Sequence, residues 1–494
     1  MSSKTLFWIS GAVTTFCLAY YLQKKTDSNF YAIIDTYDNP RVFFENQNLV
    51  KFKKTWFYHD CFQNMDKPDL KYLSNFEKKY DLNLWELAIT ERIFYHFNPV
   101  YKFSTDEILS IIQHECKFFE KILSEIKPDY LIMFESSLHQ EELLYRMCKK
   151  IGIKLLILNQ PNISRCIISE NPRKLDLDVK LDTINSSNKN FNELLEYRKS
   201  FANYSTIEKY GNKFKVSNLE LLKSMLKFLI NKNTHIKTHY THRGRTKFKV
   251  LKDEIQKKLK RKFRYSFMNN NLEKKIVSSE KFVYFPLAVD EERNLLIAAP
   301  NYTNQIEVIR NIVKSLPIGY KLYIKENPGQ KLRYWRSVSE YQEIMDIPNV
   351  VLFHPSVSPE FLLEKSSLVI SINGTSGFDA AFYATPSILF SDLGYSILPS
   401  VSRLTSIHEL PKLILESLEK TIDSKPLEQY LNFLYDNSFD FNLMDFENKY
   451  NEFFYYDGHY FDVLILESKM KIFLEDNKIS LNILASEYKK RLVD

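Results

Sequence analysis

The chain has 494 residues, of which 44% are hydrophobic and 15% aromatic, and it contains only 10 glycines. A single hydrophobic core rarely serves a chain of this length, so we expect at least two domains, and the composition excludes a disordered chain. The formal charge of +7 is unevenly spread, because residues 243–264 hold 11 basic and two acidic side chains, and the remainder sums to 7 − 9 = −2. The composition predicts a well-packed enzyme or binding protein whose basicity belongs to one segment.

The cysteines are five in number, widely spaced and without a C-x-x-C pair: Cys17, Cys61, Cys116, Cys148 and Cys166. Such a set favours free thiols in a reducing cytoplasm and indicates neither a disulfide framework nor a zinc site. The D-x-D at Asp176 and Asp178 lies in an alternating acidic and apolar run, which favours a solvated face over a metal site. We therefore predict no metal site.

The amino-terminal segment admits two interpretations. Residues 5–22 are mostly apolar between flanking lysines, as in a signal anchor, but polar residues interrupt the run. The alternative is a strand over 5–10, a turn at Gly11, a helix over 12–25 and a strand over 30–35. Because the apolar run would make a short and poor membrane span, we favour the strand-helix-strand interpretation.

A doubly wound pattern continues to about residue 170. A capping box at Ser104 and Glu107 opens a long helix, and a strand over 130–134, a helix to residue 150 and a strand over 154–158 follow. A general base on this half must come from a loop at the carboxyl end of a strand. The ionisable residues in such positions are Asp35, Glu135 and His139, and we predict Glu135 and His139 as catalytic candidates.

The middle of the chain lacks this alternation of strands and helices. We predict helices over 218–230 and 250–267, and in the second helix Leu251, Ile255, Leu259 and Phe263 recur every four residues among lysines and arginines. Two interpretations stay open for residues 243–264: a solvated interdomain helix with one packed edge, or a basic amphipathic helix lying on an anionic membrane surface. No recognition motif accompanies the charge, so we predict no nucleic-acid partner.

The alternation of strands and helices begins again at residue 281. We predict strands over 281–286, 320–324, 350–353 and 368–372, another strand after Pro386, and helices between them. In a parallel sheet the turns that follow these strands share one rim. Beyond His408 the chain is mostly helical, and we expect a helix over 464–484 to pack back across the domain junction.

The loop that follows the 368–372 strand is the predicted phosphate seat. It contains Gly374, Thr375, Ser376 and Gly377, and a short helix begins there. Glycines let an oxyanion approach the backbone, the hydroxyls can donate to it, and the first helical amides have no partner within the helix. Asp379, in the first turn, is placed to accept from a ribose hydroxyl, although the helix dipole equally explains an acid there.

Three further residues on the same rim are predicted to help bind the donor. Lys325 and Asn327 follow the 320–324 strand, and Ser356 follows the 350–353 strand. They would supply charge and hydrogen bonds to the phosphates. The same residues also fit ordinary turns with helix-capping side chains, and no Walker or G-x-G-x-x-G pattern is present.

Five segments carry a resemblance to a known family: FVYFPL at 282–287, YTNQ at 302–305, KSLPIGYKLYIKE at 314–326, NGTSGFDAA at 373–381 and LPS at 398–400. They resemble the capsule polysaccharide biosynthesis family, whose better-known members are sugar-nucleotide-dependent transferases related to the capsular Kdo transferases. The match is densest over residues 280–412. The resemblance implies an α/β GT-B architecture of two facing Rossmann-like domains with parallel sheets, plus a basic helical insert and a helical carboxyl-terminal tail.

The resemblance also implies different functions for the domains. We expect an acceptor-side domain over 1–200, the insert over 201–275, a nucleotide-sugar domain over 276–420, and a tail over 421–494 that packs back on the domains. One position departs from the family, in which the turn reads K-E-H-P and its histidine is thought to touch the donor phosphate. Asn327 stands there in this chain and cannot become a cation or pass a proton.

The leading prediction is a metal-independent glycosyltransferase that uses a CMP-, UDP- or GDP-linked sugar and no other cofactor. Its acceptor would be a surface polysaccharide or a lipid-linked glycan, and it would work in the cytoplasm or at the inner face of the plasma membrane. Two alternatives stay open: a sugar-nucleotide epimerase on the same fold, and a non-catalytic nucleotide- or polysaccharide-binding assembly protein.

Overall fold

The structure is a computed structural model that describes residues 2–11, 13–36, 38–63, 65–95, 98–161, 163–176, 180–201, 219, 223, 225–226, 229–230, 240–276, 280–454 and 465–492. The chain divides into two compact units. Unit 1 comprises Met1–Asp176, Phe201–Lys249 and Tyr435–Asp494, and unit 2 comprises Leu177–Ser200 and Val250–Leu434.

Unit 1 contains six strands: β1 (Lys4–Ser10), β2 (Asn29–Asp35), β3 (Lys54–Phe57), β4 (Tyr130–Phe134), β5 (Lys154–Asn159) and β6 (Ile167–Ser169). They form one sheet in the order β3-β2-β1-β4-β5-β6, parallel except for the antiparallel pair β5 and β6. This is the doubly wound order of a Rossmann-like fold, in which the connections change direction between β1 and β4. The strand-helix-strand start predicted from the sequence is present.

The helices described in the Met1–Asp176 part of unit 1 are α1 (Thr14–Leu22), α2 (Asp38–Asn46), α3 (Leu70–Tyr80), α4 (Leu84–Ile89), α5 (Arg92–Tyr95), α6 (Thr105–Ile126) and α7 (His139–Lys150). The capping box predicted at Ser104 and Glu107 begins α6. Eight of the nine residues of α1 are buried, so this helix needs cover on all sides. Its cover comes partly from the carboxyl-terminal end of the chain, where the Tyr21 hydroxyl donates to the Leu474 carbonyl at 2.8 Å.

Unit 2 contains β7 (Lys281–Pro286), β8 (Tyr320–Lys325), β9 (Val350–Phe353), β10 (Leu368–Ser371), β11 (Ser387–Leu389) and β12 (Val401–Arg403). All its strand pairs are parallel, in the order β12-β11-β10-β7-β8-β9. This order repeats that of unit 1, with the change of direction between β7 and β10. Apolar residues fill both faces of the sheet, as expected for parallel strands covered by helices.

The helices between and around these strands are α8 (Phe191–Phe201), α9 (Lys247–Asn271), α10 (Arg293–Leu296), α11 (Gln305–Ser315), α12 (Val338–Met345), α13 (Pro359–Lys365), α14 (Ser376–Ala381), α15 (Leu410–Leu418) and α16 (Lys425–Asp436). The chain ends with α17 (Leu443–Phe454), α18 (Glu467–Asp476) and α19 (Lys478–Lys489). Within the described residues, no helix has the length and apolarity needed to cross a membrane.

The units do not follow the predicted boundaries. Residues 177–200 lie with unit 2, where the buried Glu428 carboxylate accepts hydrogen bonds from Ser187 and Lys189. The tail from Tyr435 onward lies with unit 1, and the basic helix α9 lies mostly with unit 2. Most of the predicted 218–230 helix, and Asp178 of the D-x-D, lie outside the described residues.

Candidate functional site

The candidate site of unit 2 lies at the carboxyl edge of its sheet. Because connections run in opposite directions from β7 and β10, the loops that follow these two strands diverge and leave a crevice, which is where doubly wound folds bind ligands. Asn373, in the loop after β10, donates to the Asn294 carbonyl of α10 at 2.9 Å and ties the two loops together. Lys325 ends β8 on the same edge, two strand spacings or roughly 10 Å from β10.

The predicted phosphate seat is a tight turn into α14. The Gly374 amide donates to the Ser371 hydroxyl at 3.0 Å, and the Gly374 carbonyl accepts from the Tyr395 hydroxyl. Thr375 is exposed, although its hydroxyl donates to Asp379 at 3.4 Å, and Ser376 is partly exposed. Among the described residues the Ser376 hydroxyl has no hydrogen-bond partner, so this hydroxyl remains available at the edge of the sheet.

Gly377 has a different role from the predicted one. A Cβ atom at this position would lie 3.1 Å from Leu389 Cδ2, 3.1 Å from the Tyr395 hydroxyl and 3.3 Å from the Ser387 hydroxyl. These neighbours are buried and belong to the core of unit 2. Gly377 allows α14 to pack closely on β11, so its lack of a side chain is explained by packing rather than by approach of a ligand.

We expect Gly377→Ala to destabilise the protein by about 1–3 kcal/mol, because the added methyl group overpacks a buried contact. Gly11→Ala is the matched control, since no heavy atom lies within 4 Å of its Cβ position. Thermal denaturation of the two variants and the parent checks this prediction. An unchanged midpoint for Gly377→Ala would contradict the packing role.

Asp379 is already engaged in an ion pair. Its carboxylate pairs with the Arg198 guanidinium of α8 and accepts from the Thr375 hydroxyl at 3.4 Å. The guanidinium also lies 4.6 Å from the centre of the Phe382 ring. Burial raises the pKa of Asp379, and Arg198 offsets only part of that effect. The arrangement fastens α8 to α14, which gives Asp379 a structural function in place of the predicted contact with a ribose.

Lys325 is a buried cation with no ion pair or hydrogen bond to its ammonium group among the described residues. The residue is 5% exposed, and burial lowers its pKa, with the charges of Glu360 and Glu326 opposing that effect. Lysine is almost never buried without a partner, because an unpaired charge loses its hydration. The position at a strand end makes an anionic ligand the natural partner.

The next residue, Glu326, stabilises the loop that follows β7. Its buried carboxylate accepts from Arg336 Nε at 2.9 Å and from the Tyr341 hydroxyl at 2.8 Å. Arg336 in turn pairs with Asp290 and donates to the Ala288 carbonyl at 2.6 Å. In the K-E-N-P turn, Glu326 therefore fixes the crevice wall, whereas the side chain of Lys325 remains available.

Asn327 and Ser356 make local hydrogen bonds. Asn327 Oδ1 accepts from the Gly329 amide at 2.9 Å and begins the 3-10 turn Pro328–Arg333, so only its amide nitrogen is left for a ligand. The Ser356 hydroxyl lies 2.6 Å from His354 Nδ1, and the Ser356 amide donates to the same nitrogen at 3.2 Å. Both predicted residues therefore combine a turn-stabilising contact with a position on the rim.

His354 is a residue that the sequence interpretation missed. Because Nδ1 accepts from the Ser356 amide, Nε2 carries the proton, and this buried N–H has no hydrogen-bond partner among the residues that the structure describes. Burial and the charges of Lys274 and Lys325 lower the pKa of His354 and keep it neutral. A neutral N–H donor at the end of β9 is thus held near Lys325. The signal in the sequence was its place directly after a strand, next to Ser356.

In unit 1, His139 does not have the environment of a catalytic base. Its ring is buried, with Nδ1 2.9 Å from Glu91 Oε2 and Nε2 2.9 Å from Glu115 Oε1. Burial lowers the pKa of His139, but Glu115 and Glu91 raise it more, to about 10. A protonated imidazole with both nitrogens occupied cannot accept another proton. The geometry therefore assigns His139 a structural function.

Glu141, on the same helix, is an acid whose two carboxylate oxygens both accept hydrogen bonds. It lies in the first turn of α7, where it accepts from the Ser137 amide at 2.6 Å and from Trp8 Nε1 at 3.1 Å. Burial, with a further contribution from Asp35, raises its pKa to about 7. The sequence signal was the acid at a capping position after β4. The neighbouring Glu135 is partly exposed at the strand end, and Asp35 is paired with His59 at 2.9 Å.

The cysteines are free thiols, four of them buried. Within the ranges that the structure describes, no group of three or more histidine, cysteine or acidic side chains could hold a metal ion.

The comparison of the chain with family models gives a match over part of the chain. Residues 184–398 match the capsule polysaccharide biosynthesis protein family. The family resemblance predicted from the sequence is thereby confirmed over these residues. The matched segment contains Lys325, His354 and the loop from Gly374 to Gly377. The comparison with curated proteins found no match.

Several solved structures are similar to the chain at low identity. The UDP-GlcNAc 2-epimerase of Methanocaldococcus jannaschii is 13% identical, with 88% of this chain and 99% of that chain covered and a TM-score of 0.23. The β-Kdo 2,7-transferase KpsC of Thermosulfurimonas dismutans is 12% identical, with 72% and 97% covered and a TM-score of 0.29. The amino-terminal domain of Candida albicans trehalose-6-phosphate phosphatase is 11% identical, with 91% and 96% covered and a TM-score of 0.30.

Proposed function

We propose that this protein is a glycosyltransferase that moves a sugar from a nucleotide-sugar donor to a growing capsule-type polysaccharide or glycolipid. The observation that carries the proposal is Lys325, a largely buried lysine whose ammonium group has no ion pair with a described residue, at the carboxyl edge of a Rossmann-like sheet. A donor phosphate would supply the missing negative charge. The capsule-family match over the same segment supports this choice of ligand.

The donor phosphates would lie across the strand ends of unit 2. Thr375 and Ser376 would donate from one side, with Lys325 and the Nε2–H of His354 on the other. Asn327 would add its amide nitrogen, a neutral donor in the place where the family has a histidine. Because Lys325 is a fixed positive charge at the leaving phosphate, we propose that transfer is metal-independent and needs no cofactor besides the donor.

Transfer with inversion also needs a group that removes the proton from the acceptor hydroxyl. We propose an acidic side chain for this step. Glu135 is the first candidate because it lies partly exposed at the carboxyl end of β4, and Glu141, whose pKa burial raises to about 7, is the second. We place the reaction in the cytoplasm, where nucleotide sugars are available to a protein with free thiols.

Nucleotide binding tests the proposal directly. We expect one of CMP, CDP, UDP or GDP to raise the thermal midpoint, since a ligand at about 100 times its dissociation constant adds roughly 2.7 kcal/mol of stability. Ser376→Ala should weaken that shift without changing the midpoint of the free protein, because the Ser376 hydroxyl makes no hydrogen bond to a described residue, whereas the Thr375 hydroxyl donates to Asp379.

Two outcomes would contradict the proposal. If none of the four nucleotides stabilises the protein, the donor site is wrong. If one of them does, its sugar conjugates are incubated with the protein and acceptor extracts. Transfer of the sugar supports the proposal, conversion of the sugar without transfer favours an epimerase, and an unchanged conjugate favours a binding protein.

A further inference from the structure

Four large apolar side chains on α9 are exposed to solvent. Phe248 is 76% exposed, Ile255 50%, Leu259 63% and Phe263 68%. Spacings of seven and four residues place them on one face of the helix, which we call the α9 stripe. A helix edge packed against its own protein would be buried, so the packed-edge interpretation does not describe these side chains.

The opposite side of α9 fastens the helix to unit 2. Met268 is fully buried in the core of that unit, and Arg264 donates to the Trp335 carbonyl at 2.6 Å. The Lys257 ammonium lies 5.5 Å from the centre of the Tyr334 ring. These contacts fix the rotation of the helix about its axis, so Ile255, Leu259 and Phe263 of the α9 stripe, which lie in unit 2, point away from the core of that unit.

The charges around the stripe have one sign. Lys252, Lys258, Lys260 and Lys262 border it and make no ion pair with any residue that the structure describes. The two acids of the segment, Asp253 and Glu254, both pair with Lys257 on the anchored side. The outward face of α9 therefore combines apolar side chains with uncompensated positive charge.

We propose that α9 lies on an anionic membrane surface, with the α9 stripe inserted at the boundary of headgroups and acyl chains. A partner that binds this face must carry negative charge for the lysines. It must also present an apolar surface close to that charge, within the length of one side chain, for the stripe. An anionic bilayer provides both along the whole helix, with phosphates to meet the lysines and acyl chains below them. The inference does not depend on the glycosyltransferase proposal, and it places the protein peripherally on a membrane.

Flotation of the full-length protein with lipid vesicles tests the inference. We expect binding to vesicles of equal parts phosphatidylcholine and phosphatidylglycerol, little binding to phosphatidylcholine alone, and release at high salt because salt screens the lysines. Leu259→Ser/Phe263→Ser should lower the partition coefficient at least about tenfold by removing inserted apolar area. Lys260→Gln/Lys262→Gln should lower it by about tenfold or more.

Ile479→Ser is the matched control, because Ile479 is 82% exposed on α19, outside the α9 stripe. It should bind vesicles like the parent. Phe263→Trp provides a second measurement, which does not depend on a loss of binding. The emission of the introduced tryptophan should shift to shorter wavelength with anionic vesicles and not with phosphatidylcholine vesicles.

Three results would overturn the inference. The first is absence of binding to anionic vesicles, and the second is equal binding by the parent and the Leu259→Ser/Phe263→Ser variant. The third concerns the molecular mass measured by light scattering in the absence of lipid. A lower mass for the Leu259→Ser/Phe263→Ser variant than for the parent would show that a second copy of the chain covers the stripe in the parent. Thermal midpoints of the α9 variants should match the parent, because the substituted side chains are exposed.

Discussion

Lys325→Met is expected to weaken binding of the stabilising nucleotide by about 10- to 100-fold, since hydrogen bonds to a charged group contribute roughly 1.5–3 kcal/mol. The same substitution should stabilise the free protein by about 1 kcal/mol, because methionine fills a buried site without an unpaired charge. Isothermal titration and thermal denaturation of the same preparations measure both effects. A gain of stability together with a loss of affinity is the signature of a residue kept for its ligand.

Lys321→Met is the matched control on the same strand. Lys321 is partly exposed and pairs with Glu280, so its replacement should change neither nucleotide affinity nor stability by more than about 1 kcal/mol. In the parent, nucleotide affinity should fall as the pH rises toward the lowered pKa of Lys325, where the ammonium loses its charge. Unchanged affinity in Lys325→Met would remove this residue from the donor site, and a destabilised free protein would show that its ammonium is structural.

Most strands of both sheets were predicted because their signals are local, but the short edge strands β6 and β12 were not. Buried parallel strands are continuous apolar runs, so the strand predicted over 130–134 coincides with β4. Helix starts carry capping residues, as at Ser104 for α6 and Ser358 for α13. The repeated strand order, and with it the edge that carries Lys325 and Thr375, follows once these elements are paired in parallel.

The assignment of segments to units was not predictable in the same way. Residues 177–200 and the tail from Tyr435 cross from one unit to the other, and what holds them there is a contact far away in the sequence. Lys189 meets Glu428, and Tyr21 meets the Leu474 carbonyl. Hydrophobic periodicity shows which face of a helix is apolar but not which core covers it.

The difference between local and long-range signals also explains which site residues could be predicted from the sequence. The position of Lys325 at the end of a strand could be predicted, because a strand end is a local feature. The partners of Asp379 and His139 lie far away in the sequence, at Arg198 in one case and at Glu91 and Glu115 in the other. Because of these partners, Asp379 and His139 have structural functions in place of the predicted ligand-binding and catalytic ones. The sequence around either residue contains no pattern that predicts the partners.

His139→Leu is expected to destabilise the protein by about 3–5 kcal/mol at neutral pH, because it leaves the Glu91 and Glu115 carboxylates buried without their cation. In the parent, the folded-state pKa of His139 is raised to about 10, so its contribution is complete below the unfolded value near 6.5 and is lost as the pH rises toward 10. In the variant, acid should restore stability, because protonated carboxyls are cheaper to bury than charged ones.

Urea denaturation near pH 5 and pH 7, followed by tryptophan fluorescence, measures the difference, since three of the four tryptophans lie in unit 1. The loss caused by His139→Leu should be smaller at pH 5 than at pH 7. Lys150→Gln, on the same helix and in an exposed ion pair, should change stability by less than about 1 kcal/mol at both pH values. An equal loss at both pH values would mean that His139 contributes packing alone. No loss at all would mean that Glu91 and Glu115 are not charged in the folded protein, and His139 would again be available as a base.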